Sequence, residues 1–233
     1  ADRLPTPLHK VSTLAGLERA LRIAPFATFG VRLELEKLDD VEFLSLLQSP
    51  HASHLVSLEF ENCEFGRSNR RLMVWEDVLQ ALKESPALRG LTTLRIVSAT
   101  DLDADALRIL AQNQVFGSLR TLELAGAAID DDALEQLATS PHLQYLHTLR
   151  LAGAMFGEDG LRALVQSPNA STLRALDLSA NDLGGGGMQA IANSMRLTNL
   201  TELTLAACEC DANDLRTLAH SPHLESLRKL DLS

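Results

Sequence analysis

The sequence predicts an α/β solenoid, with about eight parallel strands inside and eight helices outside, and three observations predict it. From Leu119 the pattern LRTLELAGAAIDDDALEQLATSPHLQY restarts at Leu146, Leu173, Leu200 and Leu227, always 27 residues on. Each copy opens on LxxLxL, the alternation of a strand with one buried face, and continues into leucines three apart, such as Leu134 and Leu137, on one helix face. The helical stretches then stop at a recurrent Ser-Pro: Ser49-Pro50, Ser85-Pro86, Ser140-Pro141, Ser167-Pro168 and Ser221-Pro222. Proline disfavours helical geometry in the residue before it, so the stop is written into the chain. A fixed period of this length marks an array in which no unit buries its apolar face alone.

Taken in order, residues 1–27 form a polar, proline-containing lead-in followed by an amphipathic helix from Ser12, STLAGLERALRIAP, with the serine as cap. This helix is either an N-terminal cap or the helix of an earlier repeat. Residues 28–233 form the array. Its first strand, VRLELE, alternates at Val31, Leu33 and Leu35. The unit from Leu55 begins regularly with LVSLEFENCEF, then carries the extra residues GRSNRRLMV before a helix expected to start near Trp75. Its spacing to Leu91 is therefore 36 residues, and the next unit, to Leu119, runs to 28. The last stretch, Lys229 to Ser233, reads as a strand with no polar cap. An open strand edge invites pairing, so either the chain is a piece of a longer array or another chain covers that edge.

Composition narrows the function. A net charge of −10 argues against a nucleic-acid or membrane-surface role, since phosphate binding wants a basic face. No apolar run reaches the roughly 18–20 residues of a bilayer span, and ADRLPTPLHK lacks the apolar core of a signal peptide. Cys63 and Cys208 occupy the repeat slot held elsewhere by Ala99, Ala127, Ala154 and Asn181, and Cys210 falls on the slot of Ile129. Packing explains all three better than metal binding does. With no disulfide framework to draw, the expected compartment is reducing and cytoplasmic.

The units LRTLELAGAAIDDDALEQLA and LRALDLSANDLGGGGMQAIA resemble leucine-rich repeats of the ribonuclease-inhibitor-like class. The helix-ending SPHL is similar to that of leucine-rich repeat proteins found widely in bacteria with signalling-rich genomes. The resemblance covers about residues 28–233. It implies a right-handed leucine-rich-repeat solenoid, a horseshoe with its parallel sheet on the inner face, and protein recognition as the usual role. The alternating long and short units of ribonuclease inhibitor are absent, so that activity is not implied.

No residue set calls for a metal or a cofactor, and no catalytic pair appears. Gly184 to Gly187 precede a helix but lack the lysine and Ser/Thr of a phosphate-binding loop. Asp101, Asp103, Asp105 and Asp130 to Asp132 sit at expected helix starts, where carboxylates cap amides. His51, His142 and His223 share a slot several layers apart and cannot converge on one ion.

The inner sheet face is the first candidate surface. Its central row should read Glu34, Glu59, Arg95, Glu123, Arg150, Asp177, Thr204 and Asp231, a ladder of exposed opposite charges about 4.8 Å apart. The next row begins Glu36 and Glu61, so four glutamates crowd one end and a partner with a basic surface would relieve them. A third row, Ser57, Thr93, Thr121, Thr148 and Ala175, is small and uncharged. The second candidate is the insertion, where Arg67, Arg70 and Arg71 lie near Leu72, Met73 and Trp75 as apolar anchors. The expected function is thus non-catalytic protein–protein interaction, as a scaffold or recognition module. Two other readings are a sensor or substrate-recognition part of a multidomain signalling enzyme, and a structural spacer self-associating through its uncapped C-terminal edge.

Overall fold

The computed structural model describes residues 29–33, 40–61 and 74–233. The helix from Ser12, the strand residues beyond Leu33, Cys63, and the insertion residues Arg67, Arg70, Arg71, Leu72 and Met73 lie outside them, as do Glu34 and Glu36. Eight strands form one parallel sheet in sequence order: β1 (Phe29–Leu33), β2 (Leu55–Glu61), β3 (Thr93–Val97), β4 (Thr121–Glu123), β5 (Thr148–Arg150), β6 (Ala175–Asp177), β7 (Glu202–Thr204) and β8 (Lys229–Asp231). Seven α-helices are seen among the described residues: α1 (Asp40–Gln48), α2 (Trp75–Glu84), α3 (Ala104–Ala111), α4 (Asp131–Thr139), α5 (Glu158–Gln166), α6 (Gly184–Ala192) and α7 (Ala212–Ala219). Strand and helix alternate strictly. Each helix therefore returns the chain to the same sheet edge, and parallel pairing follows.

The core is one continuous leucine stack between sheet and helices. Leu94, Leu122, Leu149, Leu176 and Leu203 hold the same strand position in successive units and are at most 5% exposed. Register follows the repeat: Leu94 pairs with Leu122, Leu122 with Leu149 and Leu149 with Leu176. A one-residue slip would turn every buried leucine outward, which is why the pattern specifies this register so firmly.

At β1 the pairing differs from expectation. Val31 stands level with Leu58, Arg32 with Glu59 and Leu33 with Phe60, after an irregularity between Phe29 and Gly30. The predicted alignment of Glu34 with Glu59 is thus displaced by two residues. A two-residue shift leaves the inward and outward faces unchanged, so hydrophobic alternation does not distinguish the two registers.

The Ser-Pro stops have a second role that proline alone does not reveal. The Ser85 hydroxyl donates to the Leu47 carbonyl of the preceding unit at 2.9 Å, and Ser140, Ser194 and Ser221 do the same to Ala111, Val165 and Ala192. Asn113 fills the same slot and donates to Leu79 at 3.3 Å. Ser194 and Asn113 have no proline after them, so the inter-repeat hydrogen bond is more widespread than the stop. At Leu47, Ala111, Val165 and Ala192 it satisfies carbonyls that helix ends otherwise leave orphaned.

The aspartates divide in the same way. Asp103 and Asp130 are ordinary N-caps, accepting from Ala106 and Ala133 at 3.0 and 2.8 Å. Asp131 instead reaches the next unit, accepting from the Gly157 backbone at 2.7 Å, and Asp101 accepts from the Trp75 indole at 3.1 Å.

Gly184 to Gly187 are not a loop before the helix but the first turn of α6, entered with Gly184 at φ +55°. Close packing permits this run where propensity does not: a Cβ at Gly187 would lie 3.0 Å from the Leu161 side chain. Two glycines make a sharper comparison. A Cβ at Gly160 would lie 2.9 Å from the Asp131 Cα, a backbone atom, whereas one at Gly186 would meet only the Glu158 carboxylate, the end of a flexible side chain. Gly160→Ala is expected to destabilise by about 1–2 kcal/mol even after the gain in helix propensity. Gly186→Ala is expected to be neutral or to stabilise by up to about 1 kcal/mol. Urea unfolding of both variants checks this, and equal midpoints would remove the claim that α4 and α5 meet at a rigid contact.

Candidate interaction surface

Across β2 to β8 the central inner row assembles as Glu59, Arg95, Glu123, Arg150, Asp177, Thr204 and Asp231, each level with the next. Arg95 is its hub. Its guanidinium forks onto Glu123, with Nε to Oε2 at 2.8 Å and Nη2 to Oε1 at 3.2 Å, while Nη1 reaches Glu59 Oε2 at 3.3 Å. Arg150 Nη1 adds a looser contact to Glu123 Oε2 at 3.4 Å. The hydrogen bond to Glu123 raises the Arg95 pKa further, against desolvation and with help from the charges of Glu123, Glu59 and Glu61.

This row is not the solvated ladder expected from the sequence. Glu59 and Glu123 are only 5% and 8% exposed, because the arginine side chains lie across them. The Arg95 and Arg150 side chains keep 33% and 46% of their surface. The alternation also stops early. Asp177, though level with Arg150, accepts instead from the Ser179 backbone at 3.0 Å and its hydroxyl at 2.6 Å. The acidic end changes too, since Arg32 rather than Glu34 stands in register with Glu59. Glu61 is exposed and level with Val97.

Beside the charges runs the predicted uncharged row, Ser57, Thr93, Thr121, Thr148 and Ala175 in consecutive register, and it continues into Glu202 and Lys229. Trp75, expected as an exposed anchor, is instead a core residue with 1% exposure. Its ring packs edge-on against Phe60 at 5.4 Å. The first helical turn of α2 points inward there, and the Asp101 carboxylate satisfies the indole N–H, so this side chain is unavailable to a partner. The sequence carries a usable signal here: Trp75, Val78, Leu79 and Leu82 stand at i, i+3, i+4 and i+7, the spacing of one buried helix face.

Cys208 is buried and donates through Sγ to the Leu178 carbonyl at 3.1 Å, while Cys210 is half-buried. Burial pushes both thiols up, which disfavours the reactive thiolate. Among the described residues no group of three or more His, Cys, Asp or Glu side chains is placed to hold a metal, and no helix is long and apolar enough to cross a membrane.

Comparison with known proteins agrees with this architecture. Residues 169–192, spanning the α5–β6–α6 connection, match the family described as leucine-rich repeat. Among solved structures, the tropomodulin C-terminal domain of Caenorhabditis elegans is 15% identical with a TM-score of 0.51, over 66% of this chain and 93% of that one. An internalin of Listeria monocytogenes is 18% identical with a TM-score of 0.48, and it aligns over 97% of this chain and 58% of its own. No curated protein matches the sequence. Its 27-residue period, its eight-stranded parallel sheet and its outer helices give the chain the architecture of a leucine-rich-repeat solenoid, and one stretch of it, residues 169–192, matches that repeat.

Proposed function

We propose that the chain is a protein-recognition module whose inner sheet face is the contact surface. The observation that carries this reading is the arrangement around Glu123. Two arginines, Arg95 and Arg150, are held by one buried carboxylate yet keep a third to a half of their side-chain surface open. An arginine already fixed in place loses little conformational entropy when a partner packs on it, and its planar head suits carboxylates and backbone carbonyls. The adjoining threonine row is low and uncharged, so a partner's backbone can approach closely. The inner row thus works as a pre-ordered polar grid. The reading extends to a non-catalytic role in a reducing, cytoplasmic setting, in keeping with the buried, unpaired Cys208. The insertion at 66–74, through Arg67, Arg70, Arg71 and Met73, is a second proposed contact region.

The test is affinity capture from the source cell's lysate with three baits: the intact chain, Thr93→Trp/Arg150→Ser on the inner face, and Arg162→Ser on the outer helices. A protein retained by the intact and outer-face baits but lost from the inner-face bait is the expected result. Equal retention by all three, or loss only from the outer-face bait, would overturn the inner-face reading.

A further inference from the structure

A second row of side chains lies at the rim where the strands begin. Arg120, His147, Arg174, Thr201 and Arg228 hold one position in five successive units. Their backbones stack directly, His147 N on Arg120 O, Arg174 N on His147 O, Thr201 N on Arg174 O and Arg228 N on Thr201 O, each at 2.8 Å. The row therefore advances about 4.8 Å per unit, and its arginines, at alternate units, stand about 9.6 Å apart. All three arginines are exposed. Arg95, Arg108, Arg150 and Arg162 each pair with a carboxylate, whereas among the described residues Arg120, Arg174 and Arg228 form no ion pair.

The rest of the rim matches this picture. The Arg120 guanidinium lies over the exposed Tyr145 ring, 5.0 Å from its centroid, and donates to the Tyr145 carbonyl at 3.1 Å. Burial first, and then the charges of Arg174 and Arg120, hold His147 below the usual imidazole range, so it is neutral at pH 7. Arg174 and Arg228 share a groove with Asn199, Thr201, Ser226 and a single carboxylate, Glu225. In a chain of net charge −10, this edge gathers three exposed arginines.

We propose that this rim docks an extended acidic segment of a partner protein, lying across the strands with carboxylates at i, i+3 and i+6. In the polyproline II form of an extended chain, with three residues per turn and a rise of about 3.1 Å, residues i, i+3 and i+6 fall on one side at intervals of about 9.3 Å and match the arginine spacing. Asn199, Thr201 and Ser226 supply hydrogen bonds to such a segment's backbone. A nucleic-acid strand suits the rim less well, because the protein's overall charge repels a polyanion. The rim is separate from the inner-face row, and neither reading depends on the other.

A fluorescent Gly/Ser peptide with three aspartates at i, i+3 and i+6, titrated against the full chain by anisotropy, tests the proposal. Arg174→Ser and Arg228→Ser are each expected to weaken binding about fivefold, the value of one exposed ion pair, with unchanged melting temperature. The same peptide with its aspartates contiguous should bind more weakly, and Arg162→Ser should change nothing. Thr93→Trp/Arg150→Ser should bind like the intact chain, which separates failure here from failure of the inner-face reading. No binding, equal binding of the contiguous peptide, or no loss in the two rim variants overturns the proposal. So does displacement of the peptide by a single-stranded oligonucleotide at lower concentration.

Discussion

Arg95→Met is expected to destabilise the array by about 2–3 kcal/mol, below the full cost of breaking a buried pair because Arg95 is itself a third exposed. Methionine keeps most of the side chain's packing, so the loss isolates the charge. What remains is Glu123, 8% exposed, with only the 3.4 Å contact to Arg150, and Glu59, 5% exposed, without its bond to Arg95. A desolvated carboxylate that loses its cation carries most of the penalty. The triple variant Glu59→Gln/Arg95→Met/Glu123→Gln removes those charges together and should unfold closer to the intact chain than Arg95→Met alone. Urea unfolding of the three proteins decides it. A triple variant less stable than the single one would mean that the row stabilises by attraction, not by avoiding stranded charge.

Asn181→Ala is the second large effect, expected at about 2–3 kcal/mol. Asn181 is 4% exposed and bridges two units: its amide donates to the Leu151 and Leu178 carbonyls at 2.8 Å each, and its oxygen accepts from the Ala154 N–H at 2.8 Å. Alanine satisfies this slot at Ala99, Ala127 and Ala154, but there the neighbouring turns are built without such a bridge. In the variant the Leu178 carbonyl keeps the Cys208 thiol as a donor at 3.1 Å, while the Ala154 N–H and the Leu151 carbonyl lose the bonds to Asn181. Amide exchange should therefore rise selectively at Ala154, ahead of global unfolding. Unchanged protection at Ala154 would show that the turn finds another partner and that the stability loss has a different origin.

Both effects depend on features that were only partly legible in the chain. The row from Glu59 to Asp231 follows from alternation: once Leu94, Leu122, Leu149 and Leu176 point inward, Arg95, Glu123, Arg150 and Asp177 share the opposite face. The repeat period then places them level with one another. The burial of Glu59 and Glu123 does not follow, because it depends on how the arginines of flanking strands lie across them. Nor does the turning of Asp177 toward Ser179 rather than Arg150, two acceptable hydrogen-bonding outcomes that only local geometry separates. The bond of Trp75 to Asp101 joins residues 26 apart, a distance at which sequence shows both groups but not their meeting.

The sequence by itself determined the solenoid, its unit length, which faces are buried and where most helices stop. All of these repeat every unit, so one local rule applied many times is enough. Tertiary structure alone decided the β1 register, the serine and asparagine bonds between units, and which charges are withdrawn from water. A two-residue shift at β1 preserves every inward side chain, and a hydroxyl or carboxylate chooses its partner only after neighbouring units have stacked. Those choices depend on distances between units, and the repeat pattern encodes only the order within each one.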